Sequence, residues 1–343
     1  MKRWTVGFAL LVVLVGVGQA QAGLKIYWTD SQAEGGSLDK VQRANLDGSD
    51  VEDLVVSTES RHFDGLVVSP TQGKVYWTDY WPPECRIWRA DLDGSNVEYS
   101  PLYWSVMHGI ALDVPNNYLY YMRSAIFRAD LDNPYPTGWS LVMRPGAPEF
   151  IDLALDTTHG EMYWTEASSL GSDPRGVIWR AGLDGSNVEQ VLTTPGTPLG
   201  IALHLASDQM YWVEANYGVN GIWRADLNGN NREMILAVDC PWEIALDLDN
   251  GKIYYSNNDY SNQASISRAD LNGSNVEMIV SGIGSVRGLA LGPADYEGPP
   301  VPRWPSPEAN VIPEPSTFII WSLLGTLGII VGWWRRRREA ASA

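Results

Sequence analysis

The chain has 343 residues, 19% of them charged and 45% hydrophobic, with a formal net charge of −17. Such a composition can bury a core, so disorder is not its default state. Six basic residues sit at the two ends (Lys2, Arg3 and Arg335 to Arg338). The stretch between is therefore more acidic still and repels nucleic acid and anionic lipid, which excludes nucleic-acid binding.

Residues 1–22 read as a secretory signal: Lys2 and Arg3, the apolar run VGFALLVVLVGVG, then AQA at 20–22, which predicts a mature chain from Gly23. An uncleaved anchor is the alternative. The phrase KIYWTD follows at 25–30 and KVYWTD at 74–79, with YLYYMR, EMYWTE, QMYWVE and KIYYSN further on. Their tyrosines, Tyr27, Tyr76, Tyr120, Tyr163, Tyr211 and Tyr254, recur every 43–49 residues. A second phrase, of the form IWRADLDGSNVE, keeps step, and a third, of the form GIALD, precedes each next tyrosine. The aromatic and β-branched run reads as a strand buried on both faces. The arginine phrase reads as a strand ending in an Asp-Gly or Asn-Gly hairpin. The small and aliphatic GIALD suits a strand crowded near an axis, and NVEMI makes a fourth. Four strands per repeat, six times, predict an all-β, six-bladed β-propeller of four-stranded antiparallel blades over residues 23–293. A solenoid of β-α units is the rival, but no segment has a useful helical period. The first repeat lacks its inner strand and a lone RGLALG stands at 287–292. The C-terminal strand is thus expected to complete the first blade and close the ring.

Residues 294–315 are proline-rich and read as an extended linker. Residues 318–334 are uncharged and long enough to span a bilayer as one C-terminal transmembrane helix. Arg335 to Arg338 follow and would stay cytoplasmic, with residues 23–315 outside.

The repeats resemble YWTD repeats, the class B repeats of the low-density lipoprotein receptor, which form six-bladed propellers. The motif tryptophan is Trp28, Trp77, Trp164 and Trp212, replaced by Tyr121 and Tyr255 in two repeats. The motif acid is Asp30, Asp79, Glu166 and Glu214, replaced by Arg123 and Asn257. The partner arginine stands in all six, at Arg43, Arg89, Arg128, Arg180, Arg224 and Arg268. The resemblance implies that these groups are structural. The third repeat also departs at DNPYPT, where DGSNVE is expected, which puts its turn geometry in question. Residues 316–343, with Pro313, Glu314 and Pro315 ahead of them, resemble the bacterial PEP-CTERM sorting tail. That resemblance implies processing by an exosortase and, often, linkage to surface polysaccharide; a plain single-span anchor is the physical alternative.

Chemistry is harder to find. His62, His108, His159 and His204 share no metal-ligand spacing, and neither Cys-x-x-Cys nor Gly-x-Ser-x-Gly occurs. DLDGSN lacks the alternate acidic positions of an EF-hand loop and reads as a turn. Asp113, Asp156 and Asp247 recur at inner-strand ends, where a channel cation or the repeat alone would account for them. No carboxylate or histidine cluster is seen to break the repeat, so no catalytic residue, metal ligand or cofactor is assigned. Cys85 and Cys240 lie in loops expected on one face; an exported chain permits a disulfide between them, and two separate thiols are the alternative. The loops of that face are long and varied, and their aromatics, Tyr80, Trp81, Tyr103, Trp104, Tyr217, Tyr260 and Trp242, have no repeat role. They are the candidate ligand-binding residues, although Trp242 can equally plug its blade.

The reading that follows is an exported, surface-tethered, non-enzymatic module, held by its C-terminal helix, that binds a protein or polysaccharide on the long-loop face. A lactonase-type hydrolase or lyase and a structural matrix component are the alternatives.

Overall fold

A computed structural model describes residues 23–31, 38–59, 61–80, 84–100, 108–132, 140–143, 149–167, 176–215, 218, 220–258 and 264–304. They form six four-stranded antiparallel sheets. The inner strands are Ser285–Pro293 in blade 1, Phe63–Ser69 in blade 2, Ile110–Asp113 in blade 3, Glu149–Asp156 in blade 4, Thr197–His204 in blade 5 and Pro241–Asp247 in blade 6. They neighbour one another in a closed cycle around a central channel. Blade 1 is closed as the sequence predicts: Ser285–Pro293 pairs antiparallel with Leu24–Ser31, with Tyr27 opposite Ala290 and Trp28 opposite Leu289.

The repeated phrase forms the second strand of each blade, and its residues divide the work. Trp28, Trp77, Trp164 and Trp212 are fully buried between blades. Three of them stack on the Trp of the neighbouring strand, at centroid distances of 6.2 to 6.4 Å, and three donate their indole N–H to a side-chain oxygen: Trp28 to Gln42, Trp164 to Glu166 and Trp212 to Glu214. The motif threonine reaches round the ring. Thr29 Oγ1 donates to Asp64 O, Thr78 Oγ1 to His108 O and Thr165 Oγ1 to Leu199 O, each in the next blade. The motif acid holds the backbone ahead of its own inner strand: Asp30 accepts from Gly284 N and Glu214 from Gly196 N. These buried bonds satisfy groups that would otherwise be orphaned.

The partner arginine ties strand three to strand four and then to the next blade. Arg43, Arg89 and Arg268 pair with Glu52, Glu98 and Glu277. Arg43 also donates to Leu92 O of blade 2 and Arg268 to Leu46 O of blade 1. The accepting leucines begin the hairpins between strands three and four. These hairpins are longer than a two-residue turn, spanning 46–51 in blade 1 and 92–97 in blade 2. Asp47 and Asp93 accept from the backbone N–H of Ser49 and Ser95, and Asn96 takes a left-handed φ of 52°. Gly94 (φ +81°) lies against Leu54 O of the preceding blade, where a Cβ has no room. Asp113, Asp156 and Asp247 are used in the turns after the inner strands: they accept from Asn116 N, His159 N and Asn250 N. The repeat accounts for them.

Cys85 and Cys240 are not joined. Cys85 is buried in blade 2 against Tyr76 and Ile87, whereas Cys240 precedes the inner strand of blade 6 and donates its N–H to Asn257 Oδ1. Blade 1 lies between them, too far for a bridge that needs Cα atoms within about 7 Å. Among the described residues no helix is long and apolar enough to cross a membrane; residues 1–22, 313–315 and 318–338, with their leader, sorting and anchor readings, lie outside them. Residues 294–304 are described and lie against the propeller instead of leaving it.

Candidate functional site at the channel mouth

Each inner strand starts on the long-loop side and runs toward the short turns. In five blades its register against the second strand slips near that start. The slip leaves two residues unpaired: Asp64-Gly65, Ile151-Asp152, Leu199-Gly200, Trp242-Glu243 and, around the closure, Arg287-Gly288. Such bulges turn side chains out of the sheet. Here they bring Asp64, Trp242 and Arg287 to the mouth and Asp152 and Glu243 to the channel wall, while Ile151 and Leu199 pack in the core. His108-Gly109 occupies the corresponding place in blade 3.

The second position of the pair is glycine in four blades, and Asp152 and Glu243 fill it in blades 4 and 6. The glycines make the exceptions possible. A Cβ on Gly109 would collide with the Asp152 side chain, and one on Gly200 with Glu243. Two carboxyls therefore reach toward one another across blade 5 inside the channel, a cavity of about 300 Å³ lined by all six inner strands. Asp152 accepts from Ile201 N at 2.9 Å and Glu243 from Ile244 N at 3.2 Å. Burial raises the Asp152 pKa to about 6. Burial and the neighbouring Asp152 carboxyl push Glu243 well above the ordinary range. Like charges held this close share a proton instead of both ionising.

The first position supplies the rim. His108 Nδ1 lies 3.0 Å from Asp64 Oδ2, and its Nε2 is 3.5 Å from Glu149 Oε1. Burial disfavours the imidazolium, but the bonds to Asp64 and Glu149 outweigh it and raise the His108 pKa to about 9. The same contact lowers Glu149. On the other side the Arg287 guanidinium lies 4.6 Å from the Trp242 ring centroid, within cation–π range. The rim thus alternates charge: Asp64, His108, Glu149 and Arg287 carry it, and Trp242 gives a flat apolar seat.

The structure reassigns several residues. Trp242 is half-buried, packed on the blade 6 core and held under Arg287, so it builds the mouth. Tyr80 is exposed beyond the second strand of blade 2, its N–H bonded to His62 O. Trp81, Tyr103, Trp104, Tyr217 and Tyr260 lie outside the described residues. The expectation that no carboxylate or histidine cluster breaks the repeat is corrected: Asp64, His108, Glu149, Asp152 and Glu243 form one. Their signal was in the sequence, at the position where Gly65, Gly109, Gly200 and Gly288 align with an aspartate and a glutamate. No group of three or more His, Cys, Asp or Glu among the described residues is placed to hold a metal ion.

Fold and site together define a closed six-bladed β-propeller with YWTD-like repeats and a polar, charge-alternating channel mouth. No protein-family model matches the chain. It is similar to low-density lipoprotein receptor-related protein 1 of Pyricularia oryzae, 29% identical over 180 residues, which cover 44% of this chain and 55% of that protein. It is also similar to the vitellogenin receptor Yl of Drosophila melanogaster, 27% identical over 195 residues, 44% of this chain and 9% of the receptor. The chain thus matches about half the length of the first relative and a small part of the second. Among solved structures, a chain of a nidogen/laminin complex superposes with a TM-score of 0.64 at 18% identity, over 80% of this chain and all of the other. TolB of Acinetobacter baumannii superposes with a TM-score of 0.62 at 16% identity, over 78% of this chain and 66% of TolB. At those identities the structural likenesses speak for the fold alone.

Proposed function

We propose that the protein is an exported, surface-tethered, non-enzymatic binding propeller of bacterial type, which takes a protein or polysaccharide ligand on the long-loop face, around the channel mouth. One observation carries this reading. Departures from the repeat gather at the long-loop ends of the inner strands, at Asp64, His108, Asp152, Trp242, Glu243 and Arg287, while on the short-turn face five of the six blades keep an Asp-Gly or Asn-Gly hairpin. Variation on one face of a rigid scaffold is the usual mark of a binding surface. The receptor names of the sequence relatives and the nidogen/laminin complex agree with a protein ligand. Tethering rests on the C-terminal tail, through an exosortase-type enzyme or the membrane helix.

The protein, displayed on glycan and protein arrays, should retain a small set of ligands, and Trp81→Ala, Trp104→Ala and His108→Ala should each weaken capture by about tenfold or more, as hot-spot residues do. Capture that survives all three substitutions would place the ligand elsewhere. A hydrolase or lyase is the second reading, favoured by the Asp152–Glu243 pair, whose raised pKa values suit general acid–base work. A lactone and glycan screen in which turnover appears and vanishes in Glu243→Gln would favour it over binding alone.

A further inference from the structure

The seam between blades 2 and 3 differs from its neighbours. At three other seams, both neighbours included, a strand-three arginine crosses to a hairpin leucine carbonyl of the following blade: Arg43 to Leu92 O at 2.9 Å, Arg128 to Leu183 O at 3.4 Å, Arg268 to Leu46 O at 3.0 Å. At this seam the accepting carbonyl is Leu131 O, and DNPYPT follows it in place of the glycine hairpin. Its donor is Trp304, whose indole Nε1 lies 2.8 Å from Leu131 O. Arg89, the arginine of this seam, turns instead to the Pro302 carbonyl at 2.6 Å and lies 4.3 Å from the Trp304 ring centroid. Glu98 accepts from both Arg89 and the Trp304 N–H, and the Tyr76 ring is 5.9 Å from that of Trp304. Trp304 is only 6% exposed.

The segment that brings it there touches down at its other end too. Tyr27 Oη donates to Pro293 O and Arg43 to Ala294 O. Between the two ends the segment arches over a polar cavity of about 580 Å³ on the short-turn side of blade 2.

We propose that residues 294–304 are a mount: a strap bound in cis by the seam between blades 2 and 3, which fixes the exit of the C-terminal tail on the short-turn face and so holds the long-loop face away from whatever the tail attaches to. Trp304 fills this seam and supplies to Leu131 O the donor that an arginine supplies to the leucine carbonyl at the neighbouring seams. The attachment half of the proposal rests on the tethered reading given above; the docking half does not.

The test uses the full chain. Hydrogen exchange in the wild type should show the Trp304 amide and the Ala125–Asp130 strand protected, and Trp304→Ala should speed exchange of residues 296–304 at least tenfold; Asp295→Ala, an exposed control, should not. Exchange of 296–304 as fast in the wild type as in Trp304→Ala overturns the mount. If Trp304→Ala fails to fold, Glu98→Ala in its place removes the acceptor of the Trp304 amide, and unchanged exchange there likewise overturns it. Orientation is read on the membrane-held chain with a bulky maleimide, in a Cys85→Ser/Cys240→Ser background. Asp239→Cys on the long-loop side should label at least tenfold faster than Asn272→Cys in a short-turn hairpin, and Trp304→Ala should level the two. Equal labelling in the wild type overturns the mount. A chain that fractionates away from membrane and envelope refutes tethering, while exchange still decides docking.

Discussion

Glu243→Gln should raise the stability of the propeller at pH 8 and change it little at pH 5. The carboxyl pair sets the sign. Asp152 and Glu243 both have folded-state pKa values above those of the unfolded chain. Their contribution is therefore fully present below the unfolded pKa of about 4 and is lost as pH rises through about 6 and, for Glu243, further up. Holding Asp152 near 6 instead of its model-peptide 3.8 is a shift of some two units, worth about 3 kcal/mol once the group ionises at alkaline pH. Coupling to Glu243 makes that an upper figure for either residue alone. A glutamine keeps the oxygen that accepts from Ile244 N and fits the space beside Gly200. It also offers an N–H to the Asp152 carboxylate and removes one of the two charges. Converted for a domain of this size, the gain is about 4–8 °C in Tm at pH 8. Thermal unfolding of wild type, Glu243→Gln and Asp152→Asn, from pH 5 to 9 at fixed ionic strength, is the assay. The wild-type Tm should fall toward alkaline pH and the variant curves should be flatter. A wild type flat over this range, or variants displaced by a constant amount at all pH values, would refute the shared-proton pair.

Removing residues from Ser285 onward should abolish cooperative melting or drive aggregation, since it strips Trp28 and Ile26 of their partner strand and takes Val286 and Leu289 out of the core they share with them; a monomer with a normal transition would count against closure. Trp242→Ala should lower Tm, because its ring packs on the blade 6 core, and should loosen Arg287 as well, whereas Tyr80→Ala, exposed, should leave Tm unchanged and act on affinity alone; the reverse pattern in a melt and a binding titration would exchange their roles. Glu214→Ala should cost about 1–3 kcal/mol in denaturant unfolding, since it orphans the buried Trp212 indole N–H and the Gly196 N–H; an unchanged midpoint would mean that water replaces both bonds. Replacing Pro313, Glu314 and Pro315 by alanine should leave export intact and block processing at that motif, seen as full-length mass in the membrane fraction, and an unchanged mature mass would argue for a plain anchor.

The ring was legible because its physics is repeated. A buried tryptophan stands in four blades, a threonine that crosses to the next blade in three and the partner arginine in all six. Recurrence at a fixed spacing makes each visible. The channel mouth was not legible for the opposite reason. Asp152 and Glu243 are single departures at a position the other blades give to glycine, and each looks in sequence like one more acid in an acidic chain. What joins them is the bulge at the start of the inner strand. That is a backbone event, with no residue type of its own to announce it. His108 stands at the rim. Its partners Asp64 and Glu149 lie 44 and 41 positions away and meet it only because the ring sets successive inner strands side by side.

DNPYPT and Trp304 could not be linked in advance, because Trp304 meets Leu131, just ahead of DNPYPT, only in the folded ring. Read alone, the first is a damaged hairpin and the second an aromatic in a proline-rich linker. Each is locally inconsistent, and local inconsistency in a native sequence points to a compensating contact elsewhere. Here that contact is a tryptophan indole that takes the carbonyl an arginine takes at other seams, and an arginine that stacks on the intruder. A propeller blade can give up one element of its repeat when another part of the chain supplies the same hydrogen-bond donor to the same acceptor. Substitutions at Leu131, Arg89 and Trp304 should therefore couple in a double-mutant cycle, although the last two lie more than two hundred positions apart.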